Sequence, residues 1–255
     1  LYIKIILIFY HIPMKNKFII TISLLIFSCA SNNNLEISQE SFELKLFNSF
    51  SQNSPKYEDV KEKILFPVKG AILTKKPNLL PNAERSYRNG IHEGVDIVVP
   101  FMTPVYASLD GIIVVANTEY QDVDIESYER FLKTTDIMKK TPMDIYSHIL
   151  LGKHIIIDHG FDYLANYRTT STYAHLEKIN SKKVGDVVKK GDLIGYVGNT
   201  GTKYGALNNL LGAHLHWEIH FENEISKYYL GQNITNEDFL KLSNKLFEGE
   251  GYEKN

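Results

Sequence analysis

The distribution of apolar and polar positions changes character twice along the chain. Residues 18–27 form an apolar run broken only by Thr21 and Ser23, residues 30–64 are dominated by Asn, Ser, Glu and Lys, and from Phe66 onward the pattern becomes that of short strands. Val95–Val99, Pro104–Ser108, Gly111–Ala116, His154–Asp158 and Leu215–Ile219 are β-branched or alternating runs bounded by Gly, Pro and Asp, the signature of β-structure. Asp110-Gly111 predicts a tight hairpin between the second and third of these runs. Residues 184–198 repeat Gly-Asp at Gly185-Asp186 and Gly191-Asp192, where glycine can adopt positive φ. That stretch is similar to the hairpins of lipoyl and biotinyl domains but lacks their lysine-bearing turn, so it reads as scaffold.

Helical spacing occurs in two additions. Between residues 117 and 153, Ile125, Tyr128, Leu132 and Met138 predict one helix. Thr141-Pro142-Met143-Asp144 starts a second, and Gly152 stops it. Near the C-terminus, Thr235-Asn236-Glu237-Asp238 opens a helix with a stripe of Phe239, Leu242 and Leu246. A short docking helix is expected around Phe42, Leu44, Leu46 and Phe47.

Composition narrows the class. A chain of 255 residues, 44% hydrophobic and 23% charged, can bury one sizeable core with appendages. Its net charge of −2, with basic and acidic residues interspersed, gives no reason to expect nucleic acid as a partner. Lys15 and Lys17 after Met14, the apolar run and Ser28-Cys29 resemble a bacterial lipoprotein signal, with cleavage before Cys29 and lipidation of that residue. On that reading residues 1–13 lie upstream of the true start; otherwise Leu1–Ile12 and Phe18–Phe27 form an uncleaved anchor. Cys29 is the only cysteine, so no internal disulfide exists. Residues 29–64 read as a polar tether, and a pro-segment is the alternative, although no residue in it is an obvious extra ligand.

The chemistry concentrates in histidines. In an extended Gly212-Ala213-His214-Leu215-His216 segment, alternate side chains share a face about 6.6 Å apart. Upstream, Gly90-Ile91-His92-Glu93-Gly94-Val95-Asp96 holds a second pair. A straight strand would separate His92 from Asp96 by about 13 Å, so the chain must bend near Gly94 for both to reach one ion. His92, Asp96 and one histidine of the downstream pair make two imidazoles and a carboxylate, three ligands with room for water, which is the donor set of catalytic zinc. A further histidine lies in Thr172-Tyr173-Ala174-His175-Leu176. Two imidazoles therefore remain for acid/base and charge-stabilising work. His154 and His159 lack comparable spacing and read as structural.

Together, His92-x-x-x-Asp96, Thr172-Tyr173-Ala174-His175-Leu176, Gly198-x-Thr200-Gly201 and His214-Leu215-His216 resemble, in order, the motifs of the lysostaphin-type (LytM) zinc metallopeptidases. The resemblance covers residues 65–222. It implies a mainly β fold, with antiparallel sheets in a barrel-sandwich hybrid (duplicated hybrid motif) core carrying a helical insertion at 117–153 and a C-terminal helical extension at 223–255. It also implies one Zn2+ per chain held by His92, Asp96 and His216, with His214 and His175 as catalytic histidines. His214 is expected to be the general base and His175 the oxyanion donor, roles that can be exchanged. The substrate implied is peptidoglycan peptides, with stem-peptide cross-links preferred to glycine bridges. The expected place is the extracytoplasmic side of the cell envelope, anchored to the membrane through the lipid on Cys29; any regulatory protein partner is unidentified. The insertion and a long loop from Lys203 to Leu211 depart from typical relatives and bear on substrate choice. Two rival readings are a non-catalytic module that binds or activates another cell-wall hydrolase and a phosphocarrier; the complete ligand set opposes the first, and the Asp ligand with the lipoprotein signal opposes the second.

Overall fold

The computed structural model describes residues 55–57 and 60–249. The signal segment at 1–28, the lipidation site Cys29, the expected helix near Phe42 and most of the tether lie outside the described residues. In chain order the strands are β1 Ile64–Leu65, β2 Glu84–Arg85, β3 Gly90–Ile91, β4 Val95–Ile97, β5 Pro104–Tyr106, β6 Gly111–Ala116, β7 Ile155–Asp158, β8 Arg168–Ala174, β9 Leu176–Ile179, β10 Val187–Val188, β11 Leu193–Val197, β12 Leu215–Glu222, β13 Lys227–Tyr229 and β14 Phe247–Glu248. Seven of them form the main sheet, ordered β10-β6-β7-β8-β12-β13, with β4 also on β12. Strands β5-β11-β9 form a separate three-stranded sheet. Both sheets are antiparallel throughout. The fold is thus mainly β, as expected; among the described residues no sheet closes into a barrel, and the short β1–β14 pair is parallel.

Strand β12 organises the molecule because its two-residue period divides labour between its faces. Leu215, Trp217, Ile219 and Phe221 enter the hydrophobic core, where Trp217 packs at 5.1 Å from Phe247 and 5.8 Å from Phe66, centroid to centroid. Truncating such a buried aromatic costs about 3–5 kcal/mol. His216, Glu218 and His220, on the alternate positions, are also buried. A central strand whose polar face is buried must have those groups paired with one another, and the site is built there.

The expected hairpin at Asp110-Gly111 does not form. Strand β5 pairs with β11, whereas β6 pairs with β10 and β7. The connection crosses between sheets through the interior, since Ala107, Ser108 and Leu109 are all buried, and an apolar linker is more stable there than as a solvent-facing turn. Gly111 serves close packing instead: a Cβ there would sit 2.5 Å from the Asp158 carbonyl oxygen. The two Gly-Asp turns behave as expected, with Gly185 at φ 93° and Gly191 at φ 90°.

Both helical additions are present. The first insertion helix, Ile125–Met138, is capped by Asp124, which accepts from the Ser127 amide. The second is shorter than expected, a single turn at Met143–Ile145 running into a π-turn at Tyr146–Leu150. Pro142 is its N-cap, not its first residue, because the Thr141 hydroxyl is engaged with Arg88. Gly152, at φ 62°, ends the segment as predicted. The C-terminal helix Asn236–Leu246 is capped by Thr235 and buries Phe239 and Leu246. Among the described residues no helix is long and apolar enough to cross a membrane.

Neither His154 nor His159 belongs to the cluster of ligand atoms among the described residues. One ring nitrogen of His159 meets the Asp110 carbonyl at 2.7 Å and the other the Ser171 hydroxyl at 2.8 Å. Burial lowers its pKa below 6.5, against the opposing pull of the Asp110 carbonyl. The unfolded chain therefore takes up a proton first on acidification, and the stability contributed by neutral His159 is full above about pH 6.5 and lost as pH falls through the lower folded value. Urea midpoints at pH 7 and pH 5 should differ more for the wild type than for His159→Gln; equal differences would refute this.

Candidate metal centre

Three segments bring the five predicted residues to one edge of the main sheet. His216 faces Asp96 directly across the β12–β4 ladder. His92 precedes β4, and its backbone is pinned by bonds to Ala83 and Asn82, both at 2.9 Å. The bend expected near Gly94 is present, between β3 and β4. As a result His92 Nε2 lies 2.9 Å from Asp96 Oδ1, His216 Nδ1 lies 2.9 Å from the same oxygen, and the two nitrogens are 3.0 Å apart. Gly94 is required for this approach, because a Cβ there would fall 2.3 Å from the Trp217 carbonyl oxygen. Gly94→Ala is expected to push β4 off β12, costing about 1–3 kcal/mol. Denaturant unfolding and zinc titration should both register the change, and an unaltered zinc affinity would count against the bend as the device that assembles the site.

Outer hydrogen bonds decide which ring atoms face inward. His92 Nδ1 donates to the Leu80 carbonyl at 2.9 Å, leaving Nε2 as the bare nitrogen. His216 Nε2 donates to Glu218 Oε1 at 2.7 Å, leaving Nδ1 bare. Two imidazole lone pairs and a carboxylate oxygen therefore converge on one point, an arrangement that repels itself unless a cation or a proton is shared among them. Two imidazole nitrogens and a carboxylate oxygen are the donor types that would hold a zinc ion. Ligand atoms from these three residues lie within 4.8 Å of one another, and all three are buried. The donor set fits a zinc ion.

By themselves the three groups share protons unequally. Burial lowers the pKa of His92. For His216 burial acts in the same direction but is outweighed by the Glu218 charge and the Asp96 hydrogen bond, which push it up to about 9. Burial would raise Asp96, yet the hydrogen bonds from His216 and His92 hold it well below the usual carboxylate range. Arg85 Nη2, at 2.8 Å, occupies its second oxygen. A divalent cation competes with the imidazole protons, so binding releases them and weakens as pH falls.

The remaining histidines border this triangle. His214 sits just before β12, its Nδ1 2.7 Å from the Gly212 carbonyl and its Nε2 3.9 Å from Asp96 Oδ1. The His175 ring centroid is 4.7 Å from that of His214 and 5.7 Å from that of His216. His175 adopts φ 59°, a left-handed conformation uncommon outside glycine. That single residue takes the chain from β8 in the main sheet to β9 in the small one and turns its ring to the site. Its Nδ1 donates to the Thr200 carbonyl at 2.8 Å, and burial, followed by the neighbouring imidazoles, holds its pKa well below 6.5. His175 thus keeps an unprotonated Nε2. The surrounding groove, of about 690 Å³, is also walled by Tyr87, Leu132, Leu150 and Tyr204, so the insertion and the long loop both border it.

Four contributors were not singled out from sequence: Arg85, Arg88, Tyr146 and Glu218. Glu218 was legible in principle, since it lies two residues after His216 on the same strand face. The other three have no sequence signal, because they reach the site by tertiary contact alone.

Residues 90–227 match the model of Peptidase family M23. Over 128 residues the chain is 30% identical to the peptidoglycan DD-endopeptidase ShyA of Vibrio cholerae, a match covering 50% of this chain and 20% of that protein. An uncharacterized metalloprotease of Buchnera aphidicola is 28% identical over 138 residues, 54% of this chain and 25% of its own. The chain thus spans a quarter or less of the length of these relatives. Among solved structures, the catalytic domain of the antimicrobial peptidase lysostaphin from Staphylococcus simulans is 24% identical, covering 51% of this chain and 68% of that one, with a TM-score of 0.33.

Proposed function

The chain belongs to peptidase family M23, and from that membership we propose that it is a zinc-dependent endopeptidase hydrolysing peptide bonds in bacterial peptidoglycan. The single observation that carries this reading is the convergence of His92 Nε2, Asp96 Oδ1 and His216 Nδ1 within 3.0 Å of one another, with His175 and His214 beside them. Stem-peptide cross-links are favoured over glycine bridges, in keeping with the DD-endopeptidase name carried by a relative.

His92, Asp96 and His216 would hold the zinc, which when bound lowers the pKa of a coordinated water to about 7 and polarises the scissile carbonyl. His214 is assigned the general base, because its Nε2 lies 3.9 Å from Asp96 Oδ1, beside the ligand triangle. It takes the proton of the attacking water as the C–O bond forms, and returns it to the leaving amine as the C–N bond breaks. His175 is assigned the donor to the oxygen that gains charge in the tetrahedral intermediate; its Nδ1 proton is committed to the Thr200 carbonyl, so Nε2 takes a proton from solvent as that negative charge develops and gives it back when the intermediate collapses. Peptidoglycan as substrate places this chemistry outside the cytoplasm in the cell envelope, consistent with a lipid anchor at Cys29.

Incubating the purified protein with intact sacculi, with and without a chelator, and identifying released fragments by mass spectrometry tests the proposal. Cross-link cleavage that stops on chelation and returns with zinc is expected. Chelator-insensitive products would refute the metallopeptidase assignment, and a folded protein that binds no zinc and releases nothing would point to the non-catalytic module.

A further inference from the structure

We propose that Tyr146, supplied by the insertion, is a positioning residue for the metal centre: its hydroxyl holds Glu218, and Glu218 holds His216 in the orientation that ligates the ion. The inference rests on the zinc reading above and deepens it.

The geometry begins on β12. His214, His216, Glu218 and His220 occupy alternate positions and share a face. His216 Nε2 donates to Glu218 Oε1 at 2.7 Å, the Tyr146 hydroxyl donates to the same oxygen, and that hydroxyl is 3.4 Å from His216 Nε2. The other Glu218 oxygen is 3.7 Å from His220 Nδ1, and His220 Nε2 meets Glu93 at 3.0 Å. Glu218 is 2% exposed, so its carboxylate depends on these donors for what water would otherwise supply. A ligating imidazole whose outer N–H is held by a carboxylate has its tautomer and ring orientation fixed and its basicity raised. Tyr146 is the one member of this chain that does not come from the sheet or its flanking turn.

Arg88 explains how a residue of the insertion is kept in register with the sheet. Its guanidinium lies 5.0 Å from the Tyr146 ring centroid, donates to the Ile91 carbonyl at 2.7 Å beside His92, and reaches the Thr141 hydroxyl at 3.1 Å. The same buried cation thus ties the ligand-bearing segment to both ends of the turn that presents Tyr146. Tyr146 also opens the π-turn, a local irregularity that recurs at functional positions. A phenylalanine would fill the same space and stack under Arg88 equally well; the hydroxyl is needed only for Glu218 and His216.

Zinc affinity of the full-length apo protein, measured by competition with a chromophoric chelator, separates the two roles. Tyr146→Phe should bind zinc about 10-fold more weakly or worse, and Glu218→Gln about 10- to 100-fold more weakly, while apo Tyr146→Phe still melts cooperatively, at a temperature lowered by the loss of one donor to the buried carboxylate. Tyr128→Phe, which removes a hydroxyl from the same insertion without a bond to Glu218 or a ligand, should bind as the wild type does. Equal affinities for wild type and Tyr146→Phe overturn the positioning role alone. A wild type that takes up no zinc overturns the preceding reading and this one with it. If Tyr146→Phe does not fold, Glu218→Gln decides, because wild-type affinity in that variant also overturns the role.

Discussion

His92→Ala is expected to abolish turnover and reduce bound zinc well below one ion per chain. Replacing this ligand separates chemistry from folding best, because the His92 side chain has few other duties. Its Nδ1 bonds only the Leu80 carbonyl, whereas removing His216 strands the buried Glu218 carboxylate and removing Asp96 strands Arg85. Stranding a buried charge is strongly destabilising by itself, so the rate lost in those variants would mix folding with chemistry. Loss of the Lewis acid forfeits several kcal/mol of transition-state stabilisation. Each 1.36 kcal/mol is tenfold in rate, so a fall of about 10³-fold or more follows. Rates on cross-linked peptide, compared with zinc content and apo-protein melting, check this. A folded His92→Ala protein that cleaves at wild-type rate would remove the metal from the mechanism.

Replacing a neighbouring histidine should give the opposite pattern: zinc retained and rate lost. His214→Ala and His175→Asn are each expected to slow turnover about 100-fold or more. Asparagine is the better replacement at His175 because it tolerates the left-handed backbone that alanine resists. The two losses should not add, since the groups act within one proton-transfer and charge-stabilising unit. Steady-state rates and zinc stoichiometry on both single variants and the double variant measure this. If either single variant kept full rate, that histidine would have no part in the reaction; if either lost its zinc, it would belong with the ligands.

Much of the site was legible in the chain because it follows from strand periodicity and local spacing. His214-Leu215-His216 places two imidazoles on one face wherever the segment is extended, and His92 to Asp96 demands a bend that Gly94 permits. What sequence could not supply was long-range partnership. Asp110-Gly111 predicts a hairpin that does not form, because pairing is decided by the burial of Ala107 to Leu109 and not by the dipeptide. The insertion's helices were visible from Ile125, Tyr128 and Leu132, yet nothing local says that Tyr146 reaches Glu218, or that Arg88 spans from Ile91 to Thr141. His175 was recognised as a site residue, but not the positive φ that turns it there. Local period finds the donors, and tertiary packing chooses what holds them.

The proposed chemistry requires that His92, Asp96 and His216 share one ion. X-ray absorption at the zinc edge on the purified protein, with metal analysis, measures it most directly. One zinc per chain in a shell of two imidazole nitrogens and light oxygen donors, lost in His92→Ala, is the expected result. A folded protein with no stoichiometric zinc, or a shell without imidazole, would contradict it.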